Sequence, residues 1–330
     1  MTRTIPNTLS TPFKRFVFRW ETFLLLVTAL VFFANTQISP YFLDPWSLSD
    51  MTFNFSEKAI IALPMAMLII CREIDLSVAS TIALSSVCMG LAAQAGLSIE
   101  VICAVGILVG IGCGLFNGFI VTWFNIPSIV VTIGTMSLFR GITYVILGDT
   151  VMSDYPSEFA FFGQGYIAWV ISFEFTVFLI LALVFYVLLH HTNFGRRTYA
   201  IGNNPTGALY SGIKVNKHKV VLFTLVGAMS GLAAIFLTSR LGSTRPGIAF
   251  AWELQIVTMV VLGGVSILGG SGSILGVVIA VFLMGLVTFG LGLINVPGIV
   301  MTVIIGAMLI TVISIPAVLA KLRERKGRSV

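Results

Sequence analysis

The sequence predicts an all-α polytopic membrane protein with about ten transmembrane helices. Three observations point to it. Apolar residues make up 57% of the 330-residue chain and charged residues only 10%, against about 25% in an average soluble domain. Mean hydropathy is +1.04. The basic residues are clustered rather than spread: Arg3, Lys14, Arg15 and Arg19 at the start, Arg196, Arg197, Lys214, Lys217 and Lys219 in the middle, and Lys321, Arg323, Arg325, Lys326 and Arg328 at the end. A chain this poor in charge cannot cover a soluble fold of this size. That excludes an ordinary soluble enzyme, a secreted disulfide scaffold and a disordered tail protein. The net charge of +6 follows the positive-inside pattern and not a nucleic-acid groove.

A bilayer core about 30 Å thick needs roughly 20 apolar residues per helix. On that measure spans are expected at Glu21–Ile38, Ser56–Cys71, Leu76–Ala95, Glu100–Phe124, Ser128–Leu147, Ile167–His190, Val220–Ser239, Trp252–Leu268, Ser273–Leu293 and Gly298–Leu319. The first follows a basic segment, as in a secretion signal, but no clear small-residue cleavage pattern follows it, so a retained helix is expected. Ser56–Cys71 and Trp252–Leu268 are short, as expected of spans that are tilted or continue past a break inside protein.

An even count puts both termini on one side, and the basic termini and middle loop then all fall in the cytoplasm. The opposite loops carry Asp44, Asp50, Asp149, Asp154 and Glu158, with Arg240 and Arg245 as basic exceptions on an outer loop. The chain divides into a cytoplasmic segment (1–20), one membrane domain (21–319) with a cytoplasmic loop at 191–219, and a cytoplasmic basic tail (320–330). The outer stretch 148–166 can hold a short interfacial helix. An internal repeat is possible: Glu57 to Ile82 aligns with Glu253 to Val278, pairing Ser77 with Ser273. Asn125-Ile-Pro-Ser-Ile-Val-Val-Thr132 resembles Asn295-Val-Pro-Gly-Ile-Val-Met-Thr302, at a different offset.

The cysteines (Cys71, Cys88, Cys103 and Cys113) lie in or beside apolar stretches without CxxC spacing and read as free thiols, not a metal site. His190, His191 and His218 border the basic loop, so no intramembrane histidine relay is available. No Walker phosphate loop occurs. Gly269-Gly-Ser271-Gly fits the nucleophile pattern of an intramembrane serine protease, but no histidine base follows it. No catalytic residue and no bound cofactor is expected.

The middle loop holds a short helix with both ends written in. Asn204 is a good N-cap, Pro205 and Thr206 open the helix, and Gly212 can take the left-handed conformation that closes it. About seven residues lie between, too few to be stable alone in water. Gly207, Ala208 and Ser211 keep one surface small, while Leu209 and Tyr210 can anchor a partner. The segment is either a plain turn or a docking helix.

Four blocks in this order resemble the permease subunit of bacterial sugar ABC importers, the ribose/xylose/autoinducer-2 group. They are Glu73-Ile-Asp-Leu-Ser-Val78; Asn117-Gly118 with Pro127 to Gly141; Tyr199-Ala-Ile-Gly-Asn-Asn with Ser211-Gly-Ile213; and the glycine-rich run Gly263 to Gly276. Ser39 to Leu76 further resembles rhamnose-transport permeases. The resemblance covers nearly the whole chain. It implies a bacterial inner-membrane permease that pairs with a second permease, identical or related. It also implies a cytoplasmic ATPase dimer docked on Asn204–Gly212, a periplasmic sugar-binding protein outside, and lipid around the bundle. Two departures stand out. Cys71-Arg-Glu73 replaces the family's usual glycines, and the coupling loop lacks its usual acidic residues.

Candidates for the path or its gate are Asp75, Ser77, Asn117, Thr132, Thr135 and Arg140. Each has a structural alternative. Asp75 can cap the helix that starts near Leu76, Arg140 can snorkel or pair with a carboxylate, and Asn117, Thr132 and Thr135 can bond between helices. The rival reading is an ion-coupled secondary transporter, for which Glu73, Asp75 and Glu174 are the available carboxylates.

Overall fold

The computed structural model describes residues 20–327. The N-terminal basic residues and Arg328 lie outside that range, and of the side chains of the remaining C-terminal basic residues nothing is described. The fold is helical, with one small hairpin. In chain order the elements are α1 (Trp20–Ile38), α2 (Pro45–Ile70), α3 (Val78–Gln94), α4 (Ile99–Trp123), α5 (Ser128–Leu147), a 3-10 turn (Ser157–Phe159), α6 (Ala160–Gln164), β1 (Tyr166–Ala168), β2 (Ile171–Ser172), α7 (Phe173–His191), α8 (Asn193–Asn203), α9 (Pro205–Tyr210), α10 (Val215–Leu241), α11 (Trp252–Leu262), α12 (Ile274–Leu293) and α13 (Gly298–Gly327). Seven of these, α1, α2, α4, α5, α7, α10 and α12, are long and apolar enough to cross a membrane. The apolar helices α3, α11 and Gly298–Thr311 of α13 are shorter.

The second span begins eleven residues before the expected Ser56, at Pro45. Asp44 makes this possible: its carboxylate accepts the orphan N–H groups of Trp46 and Ser47 at 3.1 and 3.2 Å, and Pro45 needs no donor at the first helical position. Asp50, Asn54, Glu57 and Lys58 hid this extension from an apolarity count. At 26 residues α2 is the central helix, about 39 Å long. Every residue from Ala59 to Cys71 is buried. It packs against α7, α10, α11 and α12. In contrast, α5 exposes Val130 and Val145, α1 exposes leucines and phenylalanines, and α7 exposes Leu179, Ile180 and Leu183, as expected for surfaces covered by lipid.

The tightest helix pair is α4 with α10, which meet through glycines. A Cβ on Gly110 would sit 2.3 Å from the Gly227 carbonyl oxygen, and one on Gly114 2.3 Å from that of Phe223. Where lipid tails are as apolar as the side chains, such close backbone approach replaces the hydrophobic drive.

Two further expectations are corrected. The span placed at Ile167 begins at Phe173, because 166–172 form the β1–β2 hairpin and Ser172 caps α7 by accepting from Phe175 N. Arg240 is not on an open loop but in the last turn of α10, where it reaches across to Glu57 of α2.

The ends of the bundle differ in chemistry. One end gathers α8, α9 and the basic residues Arg196, Arg197, Lys214, Lys217 and Lys219. The opposite end gathers the acidic loop, α6 and the hairpin. There Gly163 N bonds Ser239 Oγ at 2.7 Å, and Thr244 exchanges main-chain bonds with Met152.

Candidate functional site

Residues 71–77 interrupt the bundle between α2 and α3. Helix α2 closes on Cys71, and the following residue, Arg72, takes a φ of 65°. That conformation favours glycine and costs a side-chain-bearing residue about 1–3 kcal/mol. It is held from outside the segment: Arg72 Nε donates to Gly202 O at 2.7 Å, and a terminal nitrogen donates to Asn203 O at 3.0 Å. The chain thus keeps a glycine-type backbone at a position where this sequence has no glycine. Glu73 pairs with Lys219 of α10.

Beyond it, the polar atoms of the break are satisfied by two helices, α5 and α4, and by one another. Ile74 N donates to Ser128 Oγ at 3.1 Å, and Thr132 Oγ1 donates to Ile74 O at 3.3 Å. Asp75 Oδ1 accepts from Ser77 N at 2.8 Å and Ser77 Oγ at 2.6 Å. Asn117 of α4 donates to Ser77 Oγ at 2.8 Å and to the Asp75 carboxylate at 3.3 Å. The break therefore brings together Asp75, Ser77, Asn117 and Thr132. Asp75 is 2% exposed and faces protein. It does not cap α3 directly: Ser77 holds the N-cap position, and Asp75 fixes Ser77. The side-chain oxygen of Asn117 is buried without a hydrogen-bond partner among the described residues. Thr135 bonds within α5, to Thr132 O, and joins the cluster only through that helix.

Arg140 makes a different connection from those expected. Its partners are main-chain carbonyls and not a carboxylate. One terminal nitrogen donates to Pro246 O and Ile248 O at 2.8 Å each, the other to Ala79 O at 3.2 Å. It pins the loop between α10 and α11 against the first turn of α3. The same loop is held by Tyr155, whose hydroxyl bonds Thr244 Oγ1 at 2.7 Å. Burial pushes the Tyr155 phenol up to about 12, so it stays a protonated donor.

The second interruption, residues 263–273 between α11 and α12, touches the first. Gly270 N donates to Ile70 O at 2.9 Å. Tyr199 Oη donates to Gly272 O at 2.7 Å, and Asn203 Nδ2 to Gly270 O at 3.2 Å. Gly202 is wedged here: a Cβ would lie 1.8 Å from Ile70 O. Both breaks and α8 thus meet at one junction. Ser77 and Ser273, paired in the repeat alignment, are both N-cap residues. Asn125 and Asn295, paired in the other, both have positive φ, 53° and 57°. Two helices separate Ser77 from Asn125 and one separates Ser273 from Asn295, which accounts for the different offsets.

One residue beyond this junction stands α9. Asn204 Oδ1 accepts from Gly207 N at 2.9 Å, and Pro205 fills the first position. At the other end Gly212 has a φ of 83°, with Gly212 N bonding Leu209 O and Ile213 N bonding Ala208 O, the paired bonds of a Schellman stop. Ala208 is 5% exposed and faces the chain's own core, whereas Leu209 and Tyr210 are 59% and 87% exposed. Thr206 and Ser211 are also exposed.

Sequence reading named Arg72, Lys219, Arg240 and Glu174 one by one but did not pair any of them, and it missed the charge cluster that forms near the acidic end. There Arg240 donates to both oxygens of the fully buried Glu57, at 2.8 and 3.2 Å. Glu174 is buried nearby, and neither of its carboxylate oxygens has a hydrogen-bond partner among the described residues. The available signal was a charge inside an otherwise apolar run.

A family profile described as "Branched-chain amino acid transport system / permease component" matches residues 47–313. The chain is 35% identical over 305 residues to the autoinducer 2 import system permease protein LsrD of Escherichia coli strain K12, covering 91% of this chain and 92% of that protein. The same figures hold for the protein of that name from Shigella flexneri. Identity is 36% over 307 residues for the one from Escherichia coli O157:H7. No solved structure matches.

Proposed function

The chain belongs to the family described as the branched-chain amino acid transport system permease component, and from that premise we propose how it works within an ATP-driven importer of polyhydroxylated solutes. It is a multi-pass permease of the bacterial inner membrane and a transporter rather than an enzyme. The family profile and the relatives' names point to different cargoes. The resemblance of residues 39–76 favours L-rhamnose, with ribose, xylose or an autoinducer-2-like molecule as related possibilities.

The observation that carries the proposal is α9. A helix of six residues is stopped and capped at both ends, yet turns Leu209 and Tyr210 away from its own chain. Apolar anchors held rigid and exposed suit a protein partner. In this reading a cytoplasmic ATPase dimer docks there, without the salt bridges that acidic residues in the loop would supply. In the same reading the chain crosses the membrane ten times, so that both termini and the basic end lie in the cytoplasm. A sugar-loaded binding protein docks at the acidic end, and a second permease, identical or related, completes the path. This chain supplies no nucleotide chemistry, catalytic group or cofactor.

The test is a mild-detergent pull-down of the tagged chain with mass spectrometry, joined to uptake of labelled L-rhamnose. A co-purifying ATPase is expected, together with uptake that survives ionophores and stops when ATP is depleted. With Leu209→Asp and Tyr210→Ala combined, the chain should insert normally and lose the ATPase. Full retention of the ATPase by that variant would sink the docking assignment.

A further inference from the structure

Between α2, α11, α12 and α13 lies a cavity of about 540 Å³. It starts near the acidic end, at Leu293 and Gly298, and penetrates to Lys58 in the middle of α2. Its size falls in the range that holds small molecules, roughly 300–1,000 Å³. Five polar side chains line it: Asn54, Lys58, Gln255, Thr288 and Thr302. They come from all four helices.

Two of them make no hydrogen bond or ion pair among the described residues. Lys58 forms no ion pair; its ammonium sits 4.6 Å from the centre of the Trp252 ring. The neighbouring carboxylate, Glu57, is committed to Arg240. The Gln255 amide makes no hydrogen bond within the described residues. A charge and an amide left unpaired inside a membrane-spanning bundle are costly against lipid. They are tolerated where water or a polar solute takes up their donors. Phe289 adds an apolar wall. A cation, an amide and hydroxyls facing an apolar wall match a molecule with hydroxyls on its edges and C–H bonds on its faces.

We propose that this cavity is the solute's binding station within the permease, taking a polyhydroxylated molecule with Lys58 and Gln255 as donors to its hydroxyl oxygens. The proposal rests on the importer reading above and adds the place and the residues. Two unpaired donors and three weaker polar groups make a shallow well. That suits a path, where the solute must leave again.

The test has two arms. In the first, Thr302→Cys and Lys58→Cys are labelled in right-side-out spheroplasts with a membrane-impermeant methanethiosulfonate reagent. Unaltered chain supplies the background, and Val303→Cys, whose side chain is exposed on the next position of α13, supplies the lipid-facing control. Labelling at Thr302→Cys and Lys58→Cys is expected to be at least tenfold above both. Labelling no better than at Val303→Cys would overturn the proposal. In the second arm, Lys58→Gln and Gln255→Leu are each assembled with their partners. L-rhamnose uptake should fall at least tenfold while ATP hydrolysis by the complex stays within twofold. Unchanged uptake in both variants would also overturn it. If the unaltered complex takes up no rhamnose while the cysteines still label, the cargo reading fails and the aqueous cavity stands.

Discussion

At the scale of single residues, the charges are where burial matters most. Glu57 is wholly buried while Arg240 stays partly exposed, and removal of the arginine leaves a buried carboxylate uncompensated, a loss of up to about 3–5 kcal/mol. Arg240→Met should therefore lower the melting temperature in detergent sharply. The double variant Glu57→Gln with Arg240→Met should recover much of the loss, read by fluorescence-detected size-exclusion after heating. Strict additivity would show that the pair is not coupled. Asn117→Leu takes away the donor shared by Asp75 and Ser77, a loss of about 1–3 kcal/mol. A thermal midpoint equal to the unaltered chain's would refute that role. The sequence made Asp75, Ser77, Asn117 and Thr132 legible because polar residues in apolar runs stand out one by one. It did not make their meeting legible, since Asp75 and Asn117 are brought together only by the packing of α4 against the break. Glu57 and Arg240, 183 positions apart, were hidden for the same reason.

At the scale of elements, α9 was the most readable piece, because caps are local chemistry. Asn204, Pro205 and Gly212 act within four residues of where they stand. Its orientation was not readable: Ala208 turns inward, so Ala208→Trp would disrupt the chain's own packing, and Leu209 and Tyr210 are the positions that test docking. The early start of α2 was missed because Asp50, Asn54, Glu57 and Lys58 break its apolar run, and the partners of the last two, Arg240 and Trp252, lie on other helices. Close approach of α4 and α10 gives another prediction. Gly110→Leu should prevent the pair from forming and abolish folded protein, whereas Gly112→Leu, with open space around it, should express normally. Equal expression of the two variants, measured by fluorescence of a fused reporter, would show that the contact does not govern assembly.

At the scale of the whole molecule, the class was legible because composition and charge clustering are global sums. The number of crossings depends on the short helices α3 and α11 and on the apolar part Gly298–Thr311 of α13, where length alone does not decide. A ten-span arrangement predicts a bright cytoplasmic fluorescent-protein fusion at the C-terminus and an inactive alkaline phosphatase fusion at the same point; the opposite pair of results would require an odd count. The junction of α8 with both interruptions has a mechanical meaning. Through Arg72, Tyr199, Gly202 and Gly270, both breaks are tied to the turn of chain that carries α9. A displacement of that short helix is therefore divided between two hinges that share one pin, so neither half of the bundle can swing without loading the other.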